Sequence, residues 1–184
     1  DRLKAPHGSR HAILYCHGGG YTSGNLGYSR VLSSKLAHAT GYDVLSFEYR
    51  LAPEFPYPAA VEDALRAWDY LMLQGYGARD IVLAGDSAGG NLALVLCNRL
   101  KTAGRKLPGA LILMSPWTDM TMSGQSYTER AEIDPMLTPE YIEAVRLAYA
   151  AGRDYRSSDL SPVSYTHLTL PTFCIRIQNN SIRR

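Results

Sequence analysis

Residues 81–91 read Ile-Val-Leu-Ala-Gly-Asp-Ser-Ala-Gly-Gly-Asn, so that the pentapeptide Gly-Asp-Ser-Ala-Gly follows a short apolar run. The apolar run 81–84 fits a buried strand, and residues 91–100 fit a helix. A Gly-x-Ser-x-Gly turn between a strand and a helix holds its serine in strained geometry above the sheet, and its small residues let the two elements approach closely. The stretch therefore predicts a nucleophile elbow with Ser87 at its tip.

A second glycine-rich block, His17-Gly18-Gly19-Gly20, directly follows another strand-like run at 12–16. Acyl transfer needs several N–H donors aimed at the developing oxyanion. Successive glycines allow a backbone course in which N–H groups point into a site with no Cβ in the way, and Ala88, the residue after the serine, adds another donor. Together the two blocks predict a serine facing a cradle of backbone amides.

Four blocks of sequence are distinctive: 17–21 (HGGGY), 49–54 (YRLAPE), 85–91 (GDSAGGN) and 115–119 (SPWTD). In order and spacing, from residue 13 to about 162, they resemble the hormone-sensitive-lipase-like branch of the α/β-hydrolases, the bacterial carboxylesterases of fold-3 type. The resemblance implies that Ser87 is the nucleophile. It further implies an oxyanion hole formed by the N–H groups of Gly18, Gly19 and Ala88. His17, Gly20 and Asp86 are expected to support the loop around the site.

Composition and charge narrow the classes of partner. The chain has 184 residues, 46% of them hydrophobic and 20% charged, with a net charge of +2, which suits one globular domain and disfavours nucleic acid as a partner. No apolar run is long enough for membrane insertion. The three cysteines have no metal-ligand spacing and fit a reducing cytoplasm, and neither a metal nor an organic cofactor is implied. A small ester is the expected partner.

Strand-like and helix-like segments alternate, which predicts an α/β fold with a mainly parallel sheet flanked by helices, a partial α/β-hydrolase fold. The predicted strands are 12–16, 43–47, 81–84 and 110–114, and the predicted helices are 28–39, 59–73 and 91–100. The resemblance implies that residues of about 118–155 form a cap-like insertion, in which Thr138 caps a helix that ends by Gly152. Arg50 is expected to pair with Glu54 beneath the site.

The catalytic base and acid of a triad are not evident. Asp134, in the sequence Asp-Pro-Met-Leu, lies too close to Ser87 along the chain to match the family's acid and is interpreted as a turn residue. His167 is the sole histidine after Ser87. It falls in 163–172, which back-translates onto a transposase end and adapter used in sequencing libraries, although Phe173 does not fit. The alternative is that 171–177 is a genuine next strand.

These observations predict a truncated hydrolase domain over 1–162 and a non-native tail over 163–184. They also predict that no strand precedes Ala12, and that the chain alone is poorly soluble and inactive because sheet edges stay uncovered. For the parent protein the hypothesis is a serine carboxylic-ester hydrolase that acts on small acyl esters or lactones through an acyl-enzyme. Two alternatives stay open: a non-catalytic small-ligand receptor on the same scaffold, and another acyl-transfer enzyme such as an amidase.

Overall fold

The computed structural model describes residues 1–4 and 9–165, and the strands in this part of the chain form one sheet. The strands are β1 (Arg2–Leu3), β2 (Ala12–Cys16), β3 (Asp43–Ser46), β4 (Ile81–Asp86) and β5 (Ala110–Met114). They lie in the order β1-β3-β2-β4-β5, in which β1 is antiparallel to β3 and every other pair is parallel. The predicted mainly parallel sheet is confirmed, and β2 and β5 have the predicted bounds.

Three helices flank the sheet, namely α1 (Leu26–Thr40), α2 (Ala59–Leu73) and α3 (Ala88–Thr102). Helices α4 (Ser126–Glu129) and α5 (Pro139–Ala150) follow β5 along the chain. The range of α2 is as predicted, and Thr138 caps α5 by accepting the N–H of Tyr141. Helix α1 begins before the predicted Tyr28, because the Asn25 side chain accepts the Tyr28 N–H at 3.0 Å and caps the helix there.

The two faces of the sheet are covered by different helices. Along β2 successive side chains point to opposite faces, so that Ile13 and Tyr15 pack with side chains of α1, whereas Leu14 and Cys16 join the larger core formed with α2 and α3. That larger core includes Trp68, which is 1% exposed. Burial on both faces is what a parallel sheet requires.

The edge of the sheet differs from the prediction. β1 precedes Ala12 and pairs with β3, with Arg2 opposite Leu45. The Arg2 guanidinium also lies 3.1 Å from the Asp43 carboxylate and 2.7 Å from the Tyr76 hydroxyl. The prediction of no strand before Ala12 is therefore wrong. A strand of this length is too short to show any hydrophobic alternation.

Arg50 has different partners from the predicted Glu54. Its Nε donates to Asp63 Oδ2 at 2.9 Å, and Nη2 donates to Glu62 Oε2 at 2.8 Å. Both acids lie in the first turns of α2, so the loop after β3 is fastened to that helix. The predicted pairing is wrong because the carboxylates of α2 offer the guanidinium fork a bidentate partner.

Strand register sets where the site lies. Cys16 pairs with Gly85, so the loop after β2 and the turn after β4 begin side by side. Asp86 pairs with Met114, which brings the loop after β5 to the same edge. Ligands of open parallel sheets bind at this carboxyl edge, and all the candidate site residues lie there.

Candidate active site

Ser87 lies between β4 and α3 with φ 52° and ψ −120°. A non-glycine residue in such a conformation costs on the order of 1–3 kcal/mol and persists only when neighbouring contacts hold it. Here the Ser87 N–H donates to Met114 O at 3.0 Å, and the Ser87 carbonyl accepts from Trp117 N at 2.9 Å. Its side chain makes no capping bond to α3 and lines a cavity. This is the backbone geometry predicted for a nucleophile elbow.

Glycines around the turn have no room for a side chain. A Cβ on Gly85 would lie 2.3 Å from the carbonyl oxygen of Gly89. A Cβ on Gly89 would lie 2.1 Å from the carbonyl oxygen of Cys16. The atoms in the way are backbone atoms, which cannot swing aside as a side chain can. Strand β4, helix α3 and the end of β2 thus approach each other as closely as glycine permits.

Helix α3 begins at Ala88 and not at the predicted Asn91. The N–H groups of Gly90 and Asn91 donate to the Ser87 carbonyl, at 3.1 and 3.2 Å, so the helix starts immediately after the serine. The low helix propensity of Gly89 and Gly90 concealed this first turn in the sequence. Ser87 consequently lies at the N-terminus of a full helix, where N–H groups such as that of Ala88 have no intrahelical acceptor.

The glycine loop after β2 is held in an unusual backbone course. Gly19 and Gly20 have φ of +118° and +62°, values that strongly favour glycine. The Gly19 carbonyl accepts from the N–H groups of Thr22 and Ser23, at 3.1 and 2.9 Å. The loop therefore bends back on itself in front of the elbow.

Gly18 differs from its predicted role as an oxyanion donor. Its N–H already donates to Asp86 Oδ1 at 2.9 Å. In the part of the chain that the structure describes, the N–H groups of Gly19, Gly20 and Ala88 donate to no other group. The structure thus contradicts Gly18 as a free donor, because a carboxylate has taken its N–H. Gly20, predicted as a supporting residue, offers a donor instead.

His17 is buried under the glycine loop, with 1% exposure. Its ring stacks on that of Tyr49 at 4.2 Å between centroids, and Nδ1 lies 2.7 Å from Gly18 O. The Tyr49 hydroxyl in turn donates to the His17 carbonyl at 2.7 Å. Burial lowers the pKa of the His17 imidazole. These contacts suit the supporting role predicted for it.

The burial of His17 predicts a pH dependence of stability. The imidazole pKa is about 6.5 in an unfolded chain, and burial lowers it in the folded state. The unfolded state therefore binds the proton first as the pH falls, so this histidine's contribution is fully present above about pH 6.5 and is lost below it. In urea denaturation, the difference in unfolding free energy between wild type and His17→Gln should shrink from neutral to acidic pH. A constant difference would contradict the buried neutral imidazole.

Asp86 accepts hydrogen bonds from three parts of the fold. Its carboxylate accepts from the hydroxyl of Tyr15 on β2, from the Gly18 N–H and, at 3.3 Å, from the hydroxyl of Tyr28 on α1. Burial first and the neighbouring carboxylate second raise the pKa of Tyr15, whereas the charge of Asp86 is the first cause of the raised pKa of Tyr28. Neither tyrosine was predicted from the sequence. The alternation along β2 was the available signal, since it places Tyr15 on the α1 face.

Asn91 ties the site to later parts of the chain. Its buried side chain accepts from the Tyr21 hydroxyl at 2.7 Å, and Nδ2 donates to the carbonyls of Trp117 and Leu160 at 2.7 and 2.9 Å. The Tyr21 ring also stacks on Tyr149 of α5 at 3.6 Å. One amide thus joins the loops that follow β2 and β5 and the chain that returns after α5.

Removal of the Asn91 amide is expected to destabilise the fold. Asn91→Ala removes the hydrogen bonds made to a buried hydroxyl, a buried carbonyl and a partly buried carbonyl, which should lower the unfolding free energy by about 2–3 kcal/mol. Asn98→Ala, on a half-buried residue of the same helix α3, is the matched control and should change it by less than about 1 kcal/mol. Chemical denaturation of both variants measures the difference. Equal losses would show that the three hydrogen bonds do not carry the effect.

Ser87 lines a cavity of about 840 Å³. One wall is the glycine loop, and another comes from the segment after β5, through Trp117, Met136, Leu137, Ile142 and Val145. No histidine lines the cavity among the residues that the structure describes. The site thus places the Ser87 hydroxyl beside the glycine loop, at the border of a largely apolar space.

Asp134 also borders the cavity, but its carboxylate is occupied. It accepts from the N–H groups of Met136 and Leu137, each at 2.9 Å, and these bonds lower its pKa. The carboxylate therefore closes a turn before α5, as expected for a turn residue.

Within residues 1–4 and 9–165, no cluster of three or more histidine, cysteine or acidic residues could hold a metal ion. Over the same residues, none of the helices is both long and apolar enough to cross a membrane.

The sequence matches a known protein family and several named proteins. The family model described as alpha/beta hydrolase fold matches residues 13–182. An acetyl-hydrolase of Streptomyces hygroscopicus is 39% identical over 170 residues, which is 92% of this chain and 57% of that protein. An esterase of Acinetobacter venetianus is 35% identical over 162 residues, 88% of this chain and 52% of that protein.

Solved esterase structures have the same fold as this chain. The crystal structure of EstE5 soaked with p-nitrophenyl butyrate superposes with a TM-score of 0.87 at 37% identity, covering 94% of this chain and 59% of that one. An esterase from the bacterial hormone-sensitive lipase family gives a TM-score of 0.83 at 37% identity, covering 90% and 59%. The chain therefore belongs to the α/β-hydrolase family, in its hormone-sensitive-lipase-like branch. It spans a little over half the length of the curated relatives it matches.

The predicted division of the chain remains a prediction. The 163–184 tail lies outside the described residues except for its first three, which belong to a 3₁₀ turn at Pro162–Tyr165. His167 and the alternative strand at 171–177 also lie outside them. The family match extends to residue 182, well into that tail. Sequencing the source locus onward from the Pro162 codon in independent DNA distinguishes a genuine strand from an adapter.

Proposed function

We propose that the protein from which this chain comes hydrolyses carboxylic esters through an acyl-enzyme on Ser87. The observation that carries the proposal is the placement of Ser87 in a strained turn at the carboxyl edge of the sheet, bordering a cavity it shares with the glycine loop. A nucleophile needs such access, and the strain is maintained by the contacts of its backbone. The names of the relatives support ester hydrolysis as the reaction.

The proposed mechanism starts with attack of the Ser87 hydroxyl oxygen on the ester carbonyl carbon. A tetrahedral oxyanion forms and accepts hydrogen bonds from the N–H groups of Gly19, Gly20 and Ala88. A histidine base takes the proton of the attacking hydroxyl and gives it to the alcohol, which leaves as the intermediate collapses with the acyl group on the serine. Water, deprotonated by the same base, then attacks the acyl group, and the acid is released as the proton returns to Ser87. This histidine and the acid that orients it are proposed to come from the part of the family domain outside the described residues.

The proposed substrates are small acyl esters or lactones. Apolar side chains on the cavity wall suit an acyl or alcohol chain, and both carboxylates that border the cavity are engaged by hydrogen-bond donors. The segment of about 118–155 is proposed to act as a cap that limits the size of these groups. Two contacts support this role, since Tyr141 and Val145 of α5 lie 3.3 Å from the position of a Cβ on Gly20.

Turnover by the full-length protein tests the proposal. With p-nitrophenyl acetate, an acyl-enzyme mechanism predicts steady release of p-nitrophenol and acetylation of Ser87 that mass spectrometry detects after a rapid acid quench. Binding of esters without turnover would instead support a small-ligand receptor. Preferential cleavage of p-nitroacetanilide would support an amidase.

A further inference from the structure

Asp86, the residue before Ser87, joins the nucleophile turn to the glycine loop. Its Oδ1 accepts the N–H of Gly18 at 2.9 Å. The fit leaves no room between them, since a Cβ on Gly18 would lie 2.3 Å from Asp86 Oδ2. No other side chain in the described residues bonds a backbone N–H of residues 18–20. The Asp86 carboxylate therefore links the residue next to Ser87 directly to the first glycine of the loop.

A glycine-rich loop needs such a link. Glycine loses more conformational freedom on folding than any other residue, so three in succession have little preference for one course. The carbonyls of the loop are held by Tyr49 and by the turn at Thr22 and Ser23, but these contacts do not connect the loop to Ser87. The bond from Gly18 to Asp86 does, because Asp86 and Ser87 are adjacent.

We infer that Asp86 is a positioning residue, which sets the direction of the Gly19 and Gly20 N–H groups relative to Ser87 by accepting the N–H of Gly18. The inference rests on the proposed function, since it assigns those N–H groups to the oxyanion. Errors of about 1 Å in such a geometry cost about 100-fold in rate. The rate of the chemical step, and not substrate binding, is what this contact controls.

The acceptor oxygen, and not the negative charge, is the part of Asp86 that matters. A bare carboxylate beside a developing oxyanion would oppose it, but the hydroxyls of Tyr15 and Tyr28 donate to this one and disperse its charge. The Gly18 and Tyr15 donors both use Oδ1, which an asparagine amide oxygen can replace. The other explanation for an acid here, attraction to the N-terminus of α3, requires the charge itself.

Two substitutions of Asp86 in the full-length protein separate these explanations. Asp86→Asn keeps an acceptor for Gly18 and should retain kcat to within about threefold, whereas Asp86→Ala should lower kcat by about 10- to 100-fold with KM within about threefold. Unchanged kcat in Asp86→Ala, or equal losses in the two variants, would overturn the inference. A loss expressed in KM alone would also overturn it.

A paired replacement keeps the test valid if Asp86→Ala fails to fold. Asp86→Leu in a Tyr15→Phe background removes the acceptor together with the buried hydroxyl that it satisfied, and removing both partners is far less destabilising than removing one. Its kcat should fall about 10- to 100-fold relative to Tyr15→Phe alone, and an unchanged kcat would overturn the inference.

Hydrogen exchange gives a readout without turnover. The Gly18 amide should exchange faster in Asp86→Ala than in wild type or Asp86→Asn, and equal rates in all three would overturn the inference. If the wild type exchanges slowly at Gly18 but turns over no ester, the proposed function fails while the positioning contact stands.

Discussion

Ser87→Ala is expected to reduce kcat/KM of the full-length protein for p-nitrophenyl acetate by about 100,000-fold or more. Under the proposed mechanism the hydroxyl oxygen forms the acyl-enzyme, and no other group at the carboxyl edge of β4 replaces it. The strained turn should persist, because its contacts are made by the backbone of Ser87 with Met114 and Trp117. The loss is therefore expected without a comparable loss of stability.

Ser115→Ala is the matched control for that experiment. Ser115 borders the same cavity, follows β5 and also has a positive φ, of 43°. Its hydroxyl has no part in the proposed reaction, so the variant should keep kcat/KM to within about threefold. Residual turnover in Ser87→Ala above about one per cent of wild type, or an equal loss in Ser115→Ala, would count against Ser87 as the nucleophile.

Gly89→Ala is expected to have the largest effect on stability, lowering the unfolding free energy by about 4 kcal/mol or more. The added Cβ would lie 2.1 Å from the carbonyl oxygen of Cys16 and 2.5 Å from that of His17. Both are backbone atoms at the end of β2, so the clash can be relieved only if α3 moves away from the sheet. Urea denaturation and thermal unfolding measure the loss.

Gly104→Ala separates this steric effect from the general cost of replacing glycine. Gly104 has φ of +64°, and nothing lies within 4 Å of its Cβ position. The substitution should therefore cost only the left-handed conformation, about 1–2 kcal/mol. If Gly89→Ala costs no more than Gly104→Ala, the close approach of α3 to β2 is not required for the fold.

The elements that sequence predicted well are those with a periodic pattern and clear ends. The range of α2 could be predicted from its apolar face and from the proline and glycines that flank it. The ranges of β2 and β5 could be predicted because both strands are uniformly apolar. Two short elements, β1 and α4, were missed because so few residues show no periodicity. The start of α3 was missed because local propensity at Gly89 and Gly90 opposes the helix that tertiary contacts impose.

At the site, the two glycine-rich motifs predicted that their backbone segments lie close together. The hydrogen bonds that connect these segments are seen only in the structure. The two glycine-rich blocks placed Ser87 near the loop that follows β2, and the family resemblance added the expected roles. The Gly18 contact with Asp86 depends on strand register, and the Tyr28 contact depends on how α1 lies across the sheet. Neither relation is written in local sequence, so the sequence did not reveal that the Gly18 N–H, expected as an oxyanion donor, bonds to Asp86.

The residues that line the cavity come from two different parts of the chain, and they can therefore change independently of each other. Ser87 and the proposed amide donors belong to turns at the close approach of β2, β4 and α3, whereas Met136, Leu137 and Ile142, which also line the cavity, come from a separate stretch of chain. Exchanges in that stretch alter the space offered to a reactant without touching the turns. Under the proposed function, selectivity can drift through such exchanges while reactivity is inherited unchanged.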